Sequence, residues 1–124
     1  MKWHFTNDAP IYSQLMEQIK VGIISGQFGS GTKLPSVRDI AMEAGVNPNT
    51  MQRAMAELER EGLVYSQRTS GRYVTDDKAV IDKLKHSLAL EHVENFLDSM
   101  QSLGFSRDEI VALLRQEPGK ELTK

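Results

Sequence analysis

Cysteine is absent from the 124 residues, which excludes a disulfide framework, thiolate metal sites and a cysteine nucleophile. No apolar run approaches the roughly 20 residues of a membrane span, and Met1 to Ala9 lacks the apolar centre of a secretory signal. The expectation is a cytoplasmic chain with no membrane partner. Histidine is scarce: His4, His86 and His92 are the only ones, and the last two are spaced so that a helix places them on different sides. Zinc needs ligands that converge, so no metal site is expected. No serine sits in a G-x-S-x-G elbow and no Ser, His and Asp positions suggest a relay. The glycine-rich QFGSGTKLP lacks the Walker spacing that would cradle a nucleotide phosphate. The chain therefore reads as a non-enzyme with no catalytic residue and no cofactor. A global positive charge is also missing. The net charge is −2, yet residues 33–75 carry six basic against five acidic side chains, whereas 76–124 carry seven against ten. A weakly basic middle permits DNA binding, since only locally placed cations need meet phosphates.

What is present is organised around NPNTMQRAMAELERE, Asn47 to Glu61. Asn47 is a favoured N-cap, Pro48 fits the first helical position, and Gly62 supplies a stop. Met51, Ala54, Met55 and Leu58 recur on one side as a core-facing stripe. Asn49, Arg53, Ala56 and Arg60 lie opposite, flanked by Gln52 and Thr50, and the carboxylates Glu57, Glu59 and Glu61 all fall in the second half. A phosphate-lined groove favours that polarity, although a solvated helix face has the same look. Before it, Pro10 opens a helix with Ile11, Leu15, Ile19 and Ile23 every four residues, ending at Gly26. Residues 27–35 read as a loop with Phe28 turned inward. Ser36 to Ala44 is a short helix with Ser36 and Asp39 as a capping box and Val37, Ile40, Ala41 and Ala44 inside. Only Gly45, Val46 and Asn47 separate the two helices, which makes a helix-turn-helix. Arg38 leaves the shorter helix toward the side of Asn49 and Arg53. Leu63 to Tyr65 and Arg72 to Val74 are β-prone, with Ser66 to Gly71 as the turn of a hairpin wing. Arg68 and Arg72 are placed on it to approach a DNA backbone or minor groove.

The run LPSVRDIAMEAGVNPNTMQRAMAELEREGLVYSQRTSGRYV, Leu34 to Val74, together with PIYSQLMEQIKVGIISGQF before it, resembles the winged-helix domain of the GntR family of bacterial transcription regulators. The short tail is similar to that of the YtrA subfamily, which lacks a large effector domain. The resemblance implies that Arg38 reads a base or phosphate, that Ser36 and Thr50 hold the backbone, and that Asn49, Gln52 and Arg53, following Asn47, read the major groove. It sends the wing around Gly71 and Arg72 into the neighbouring minor groove. Pro48 and Gln52 stand where several members have arginine, and RTSGRY replaces a wing with two glycines separated by one residue.

From about Asp77 to Leu103 helical spacing continues through Val80, Leu84, Leu88, Val93, Phe96, Leu97, Met100 and Leu103 up to Gly104. A last helix opens with a Ser106 and Glu109 capping box and a Phe105 and Ile110 staple, and stops before Pro118. Two helices cannot bury so much apolar surface alone. Either the winged domain or a second copy of the tail covers it, and the subfamily resemblance favours a homodimer through Leu84, Leu88, Val93, Phe96, Leu97, Met100 and Leu103. The expected architecture is mostly α with a small β-hairpin wing, a winged helix-turn-helix over 1–75 and a two-helix dimerisation extension over 76–124. The expected function is a sequence-specific DNA-binding transcription regulator, a repressor on an inverted-repeat operator of double-stranded DNA. The alternative is a winged helix used as a protein-interaction module, and a small-molecule effector is left open.

Overall fold

A computed structural model describes residues 1–116, so the Pro118 stop lies outside the described residues. The element order is α1 (Ile11–Ser25), α2 (Val37–Ala44), α3 (Pro48–Arg60), β1 (Val64–Gln67), β2 (Gly71–Val74), α4 (Lys78–Ser102) and α5 (Arg107–Gln116). Two compact units result, one from Met1 to Lys85 and one beginning at His86. No described helix is long and apolar enough to cross a membrane.

The caps form as their chemistry requires. Ser36 Oγ accepts from the Asp39 amide at 3.1 Å, and Gly45, at φ 73°, takes the left-handed conformation that ends α2. Asn47 Oδ1 accepts from the Asn49 amide at 2.7 Å, with Pro48 in the first helical position. The stripe Met51, Ala54, Met55 and Leu58 of α3 is buried with Leu15, Ile19 and Ile23 of α1, Ile40 and Ala41 of α2, and Val64 and Val74 of the hairpin. Each large side chain so buried contributes about 1.5–3 kcal/mol. Ile11 departs from the four-residue series: it is exposed, and the core side of α1 begins at Leu15.

The hairpin is longer and its turn shorter than the sequence suggested. Ser66 and Gln67 extend β1, Gly71 opens β2, and the antiparallel register pairs Val64 with Val74 and Gln67 with Gly71, leaving only Arg68 to Ser70 between the strands. Polar composition marked Ser66 and Gln67 as turn, but alternation along a wing exposed on one face suits polar residues equally well. The loop before α2 also joins the sheet edge. Lys33 bridges to Tyr73, the Leu34 amide donates to the Arg72 carbonyl at 2.9 Å, and the Val74 amide donates to the Thr32 carbonyl at 2.9 Å.

The first ten residues, which show no periodicity, are tied to α1 by amide side chains rather than by packing alone. Gln18 accepts from the His4 amide at 3.0 Å and donates to its carbonyl at 2.6 Å; Gln14 does the same for Thr6, at 2.8 and 2.9 Å. Two glutamines one turn apart thus act as strand partners for an extended segment. Trp3 stacks on Phe5 and packs against Phe28. Phe28 in turn lies over Gly22, where a Cβ would meet its ring at 2.7 Å, so a glycine inside α1 is what admits the ring.

The first unit runs past Thr75 to Lys85 because Val80, Ile81 and Leu84, at the start of α4, pack on the winged core. In the second unit the capping box is reciprocal. The Ser106 amide donates to Glu109 Oε1 at 2.8 Å, and the Glu109 amide donates to Ser106 Oγ at 3.2 Å. Gly104, at φ 98°, makes the turn before it.

Candidate nucleic-acid interface

Two helices and the hairpin present the candidate residues. Packing the apolar stripe of α3 on the core turns Asn49, Gln52 and Arg53 outward, and all three are exposed, while Thr50 is half-buried at the flank. The caps spend one acceptor each at Ser36 and Asn47, leaving the Ser36 hydroxyl proton and the Asn47 amide N–H groups to donate. Arg38 is exposed in the first turn of α2.

The arginines fall into two groups. Among the described residues Arg38 and Arg68 have no ion pair or hydrogen-bond partner on their side chains, and Arg68 stands on the wing turn. Arg53 and Arg72 are held. The Arg53 guanidinium lies 4.3 Å from the centroid of the Tyr12 ring of α1. Arg72 is half-buried, and its Nε donates to Glu59 Oε1 at 3.3 Å, while the other oxygen of Glu59 accepts from Ser66 Oγ at 2.8 Å. Glu59 therefore ties α3 to both strands of the wing. A half-buried, single-contact ion pair of this kind at the protein surface is worth on the order of 1 kcal/mol, so its main effect is to orient the wing.

Between the wing turn and the start of α2 lies a cleft of about 680 Å³, lined by Lys33, Pro35, Ser36, Ser70, Gly71 and Arg72 among others. Gly71 has φ 115°, and a Cβ there would meet Lys33 Cε at 3.2 Å, so the lysine crosses the glycine closely. Lys33, Arg72 and the positive end of α2 give this cleft the character of a seat for an anionic backbone. Lys33 carries no signal in the sequence, where it lies in a glycine-rich loop; the bridge to Tyr73, which only the folded hairpin creates, brings it to the wing. On the hairpin, Tyr65 and Tyr73 stack at 5.7 Å, and the Tyr73 hydroxyl donates to Ser70 Oγ at 3.1 Å, bracing the turn.

The tail residues divide as well. Leu84 is not on a free face, as the helical spacing suggested, because it packs on the winged core, and Leu88 is already buried within the chain. Helical periodicity cannot distinguish the part of a stripe that is covered from the part that is not. Leu97 and Met100 are half-buried, whereas Val93, Phe96 and Leu103 are exposed, Leu103 by 71%. Val93, Phe96 and Leu97 of α4 and Ile110, Val111 and Leu114 of α5 line an apolar groove of about 470 Å³.

Comparison with known proteins places this geometry. The family described as bacterial regulatory proteins, gntR family, matches residues 11–74. The HTH-type transcriptional regulator YhcF of Bacillus subtilis (strain 168) is 37% identical over 107 residues, covering 86% of this chain and 88% of that protein. The HTH-type transcriptional repressor YtrA of the same organism is 35% identical over 92 residues, covering 73% and 71%. A GntR family transcriptional regulator from Listeria monocytogenes superposes with a TM-score of 0.80 at 39% identity, covering 90% of this chain and 98% of that one. AraR(DBD), solved in complex with operator ORX1, superposes with a TM-score of 0.54 at 26% identity, covering 60% and 96%.

Proposed function

Given that this chain belongs to the GntR family of bacterial regulatory proteins and is a DNA-binding transcription regulator with a YtrA-like short tail, we propose that it is a cytoplasmic repressor. In this reading it binds as a homodimer to an inverted-repeat operator. The observation that carries the proposal is the outer side of α3, where Asn49, Gln52 and Arg53 are exposed in the half of the helix that holds no carboxylate. Amide side chains there suit adenine, which offers one donor and one acceptor to the major groove, and the arginine suits guanine. Lys33, Arg38, Arg68 and the α2 start supply phosphate contacts that set register without carrying sequence.

The homodimer rests on the apolar groove of the tail, and the similarity to a protein named a repressor supports the sign of regulation. Two copies related by a two-fold axis match two half-sites related by the same symmetry. Repression would then be positional, by occupation of the operator.

Selection of bound duplexes from a random library, followed by mobility shift at several salt concentrations and sedimentation of the complex, tests this. The expected result is a palindromic preferred sequence, steep salt dependence and two chains per site. Recovery of no preferred sequence, with binding insensitive to salt, would instead identify a winged helix that docks on protein.

A further inference from the structure

The partner that Arg53 does not take is as informative as the one it does. Glu57 lies four residues on along the same exposed side of α3, the spacing at which a helical arginine and carboxylate pair. Glu57 is bonded to Arg60 instead, and Arg53 lies over the face of Tyr12. Among the described residues no oxygen accepts from the Arg53 guanidinium. An ion pair would spend the N–H edge of the guanidinium, as Glu59 spends part of that of Arg72. A ring contact of this kind attracts the cation without supplying an oxygen, so the guanidinium keeps its five N–H donors for an acceptor outside the protein. Tyr12 is itself half-buried and packs against the winged core, so the platform is fixed by α1 and not by the loops. The Arg60 pair engages one oxygen of Glu57, the carboxylate that would otherwise compete for Arg53. A shallow hollow between Tyr12, Arg53, Ala56, Glu57 and Arg60 lies beside the platform.

We propose that Tyr12 is a positioning residue for sequence reading: it holds the Arg53 guanidinium in place with its N–H donors uncommitted for a guanine in the major groove, which makes α1 part of the specificity surface. This rests on the reading of Arg53 as a base reader. A long side chain ordered before binding loses less freedom on binding, and a platform on a rigid helix sets the direction of its donors.

The test uses the full chain and duplexes selected by the unaltered protein, with Arg53→Ala, Tyr12→Leu, Tyr12→Phe and the Tyr12→Leu, Arg53→Ala double variant. Removing Arg53 is expected to lower affinity by about ten- to a hundredfold and to relax one base pair per half-site. Tyr12→Leu should lower affinity by about three- to thirtyfold, the span between an exposed and a desolvated stacked cation, and relax that same base pair. Tyr12→Phe, which keeps the ring, should behave as the parent. In the Arg53→Ala background Tyr12→Leu should cost nothing further. An equal cost in both backgrounds, or a loss uniform over all duplexes, would show that Tyr12 only packs α1, and an unchanged affinity and preference for Tyr12→Leu would equally overturn the proposal. An unchanged preference for Arg53→Ala would refute the base-reader assignment itself, leaving Tyr12 nothing to position. Thermal unfolding accompanies each variant; should Tyr12→Leu melt below the assay temperature, Tyr12→Met carries the same comparison.

Discussion

In the winged unit Leu15, Ile19, Ile40, Met51 and Leu58 are fully buried among residues of three helices and a hairpin, whereas the described part of the unit beginning at His86 buries only Leu88 and Ile110. The same kinds of side chain are present in both. Val93, Phe96, Leu103, Val111 and Leu114 nonetheless stay exposed on α4 and α5. Two helices have one mutual interface, and a helix with apolar residues on more than that side keeps the excess in water unless something covers it. The first unit carries Arg38, Asn49, Gln52 and Arg68 outward on a closed core. One unit has closed its core and turns hydrogen-bonding groups outward; the other leaves apolar side chains in water, the surface that the proposed dimer would cover.

The largest effect expected from breaking this contrast comes from Leu97, which lines the tail groove and is remote in sequence from every candidate reader. Leu97→Asp should convert the chain to a monomer, since a carboxylate buried without a partner is strongly unfavourable. Loss of bivalency then lowers full-operator affinity by about 10²- to 10⁴-fold while weak half-site binding survives. Sedimentation and mobility shift read both quantities, and a dimeric Leu97→Asp protein would assign the groove another role.

Next in size is the closed core. Ile40→Ala should cost about 2–5 kcal/mol in denaturant unfolding, because a fully buried side chain leaves a cavity. Leu103→Ala, on an exposed site, should change monomer stability by less than about 0.5 kcal/mol. Comparable losses at the two sites would erase the distinction between the units.

Gln52→Ala should cost about 1–3 kcal/mol at the preferred duplex and relax one base pair, read by competition against single-base variants. The smallest effects separate the free wing arginine from the held one. Arg68→Ala should weaken every duplex about equally and make the salt slope shallower by up to about one unit, as for one lost phosphate contact. Arg72→Ala should flatten the slope less, because Glu59 already neutralises part of its charge; an equal or larger flattening would mean that DNA displaces Glu59.

Much of the architecture was legible because it depends on local rules. Asn47 with Pro48, Ser36 with Asp39, Ser106 with Glu109, and the glycines at 26, 45, 62 and 104 mark helix ends by chemistry that acts within a few residues. The apolar stripe of α3 marked the core side and, by elimination, the outer one. The hairpin turn was less legible, since Ser66 and Gln67 are as polar as the turn they adjoin.

What the sequence alone determined is thus the helical segments, the helix-turn-helix with its wing, the core side of each winged-domain helix and the family resemblance, because periodicity and capping are properties of neighbouring residues. Only the tertiary structure decided which partners those residues meet: Tyr12 under Arg53, Glu59 on Arg72 and Ser66, Lys33 across Gly71, Gln14 and Gln18 along the N-terminal segment, and Leu84 on the winged core. None of these pairings follows from helical or strand spacing, because each depends on where folding carries one segment against another, whether the N-terminal residues back along α1, the start of α4 onto the winged core, or the hairpin onto α3 and the loop before α2.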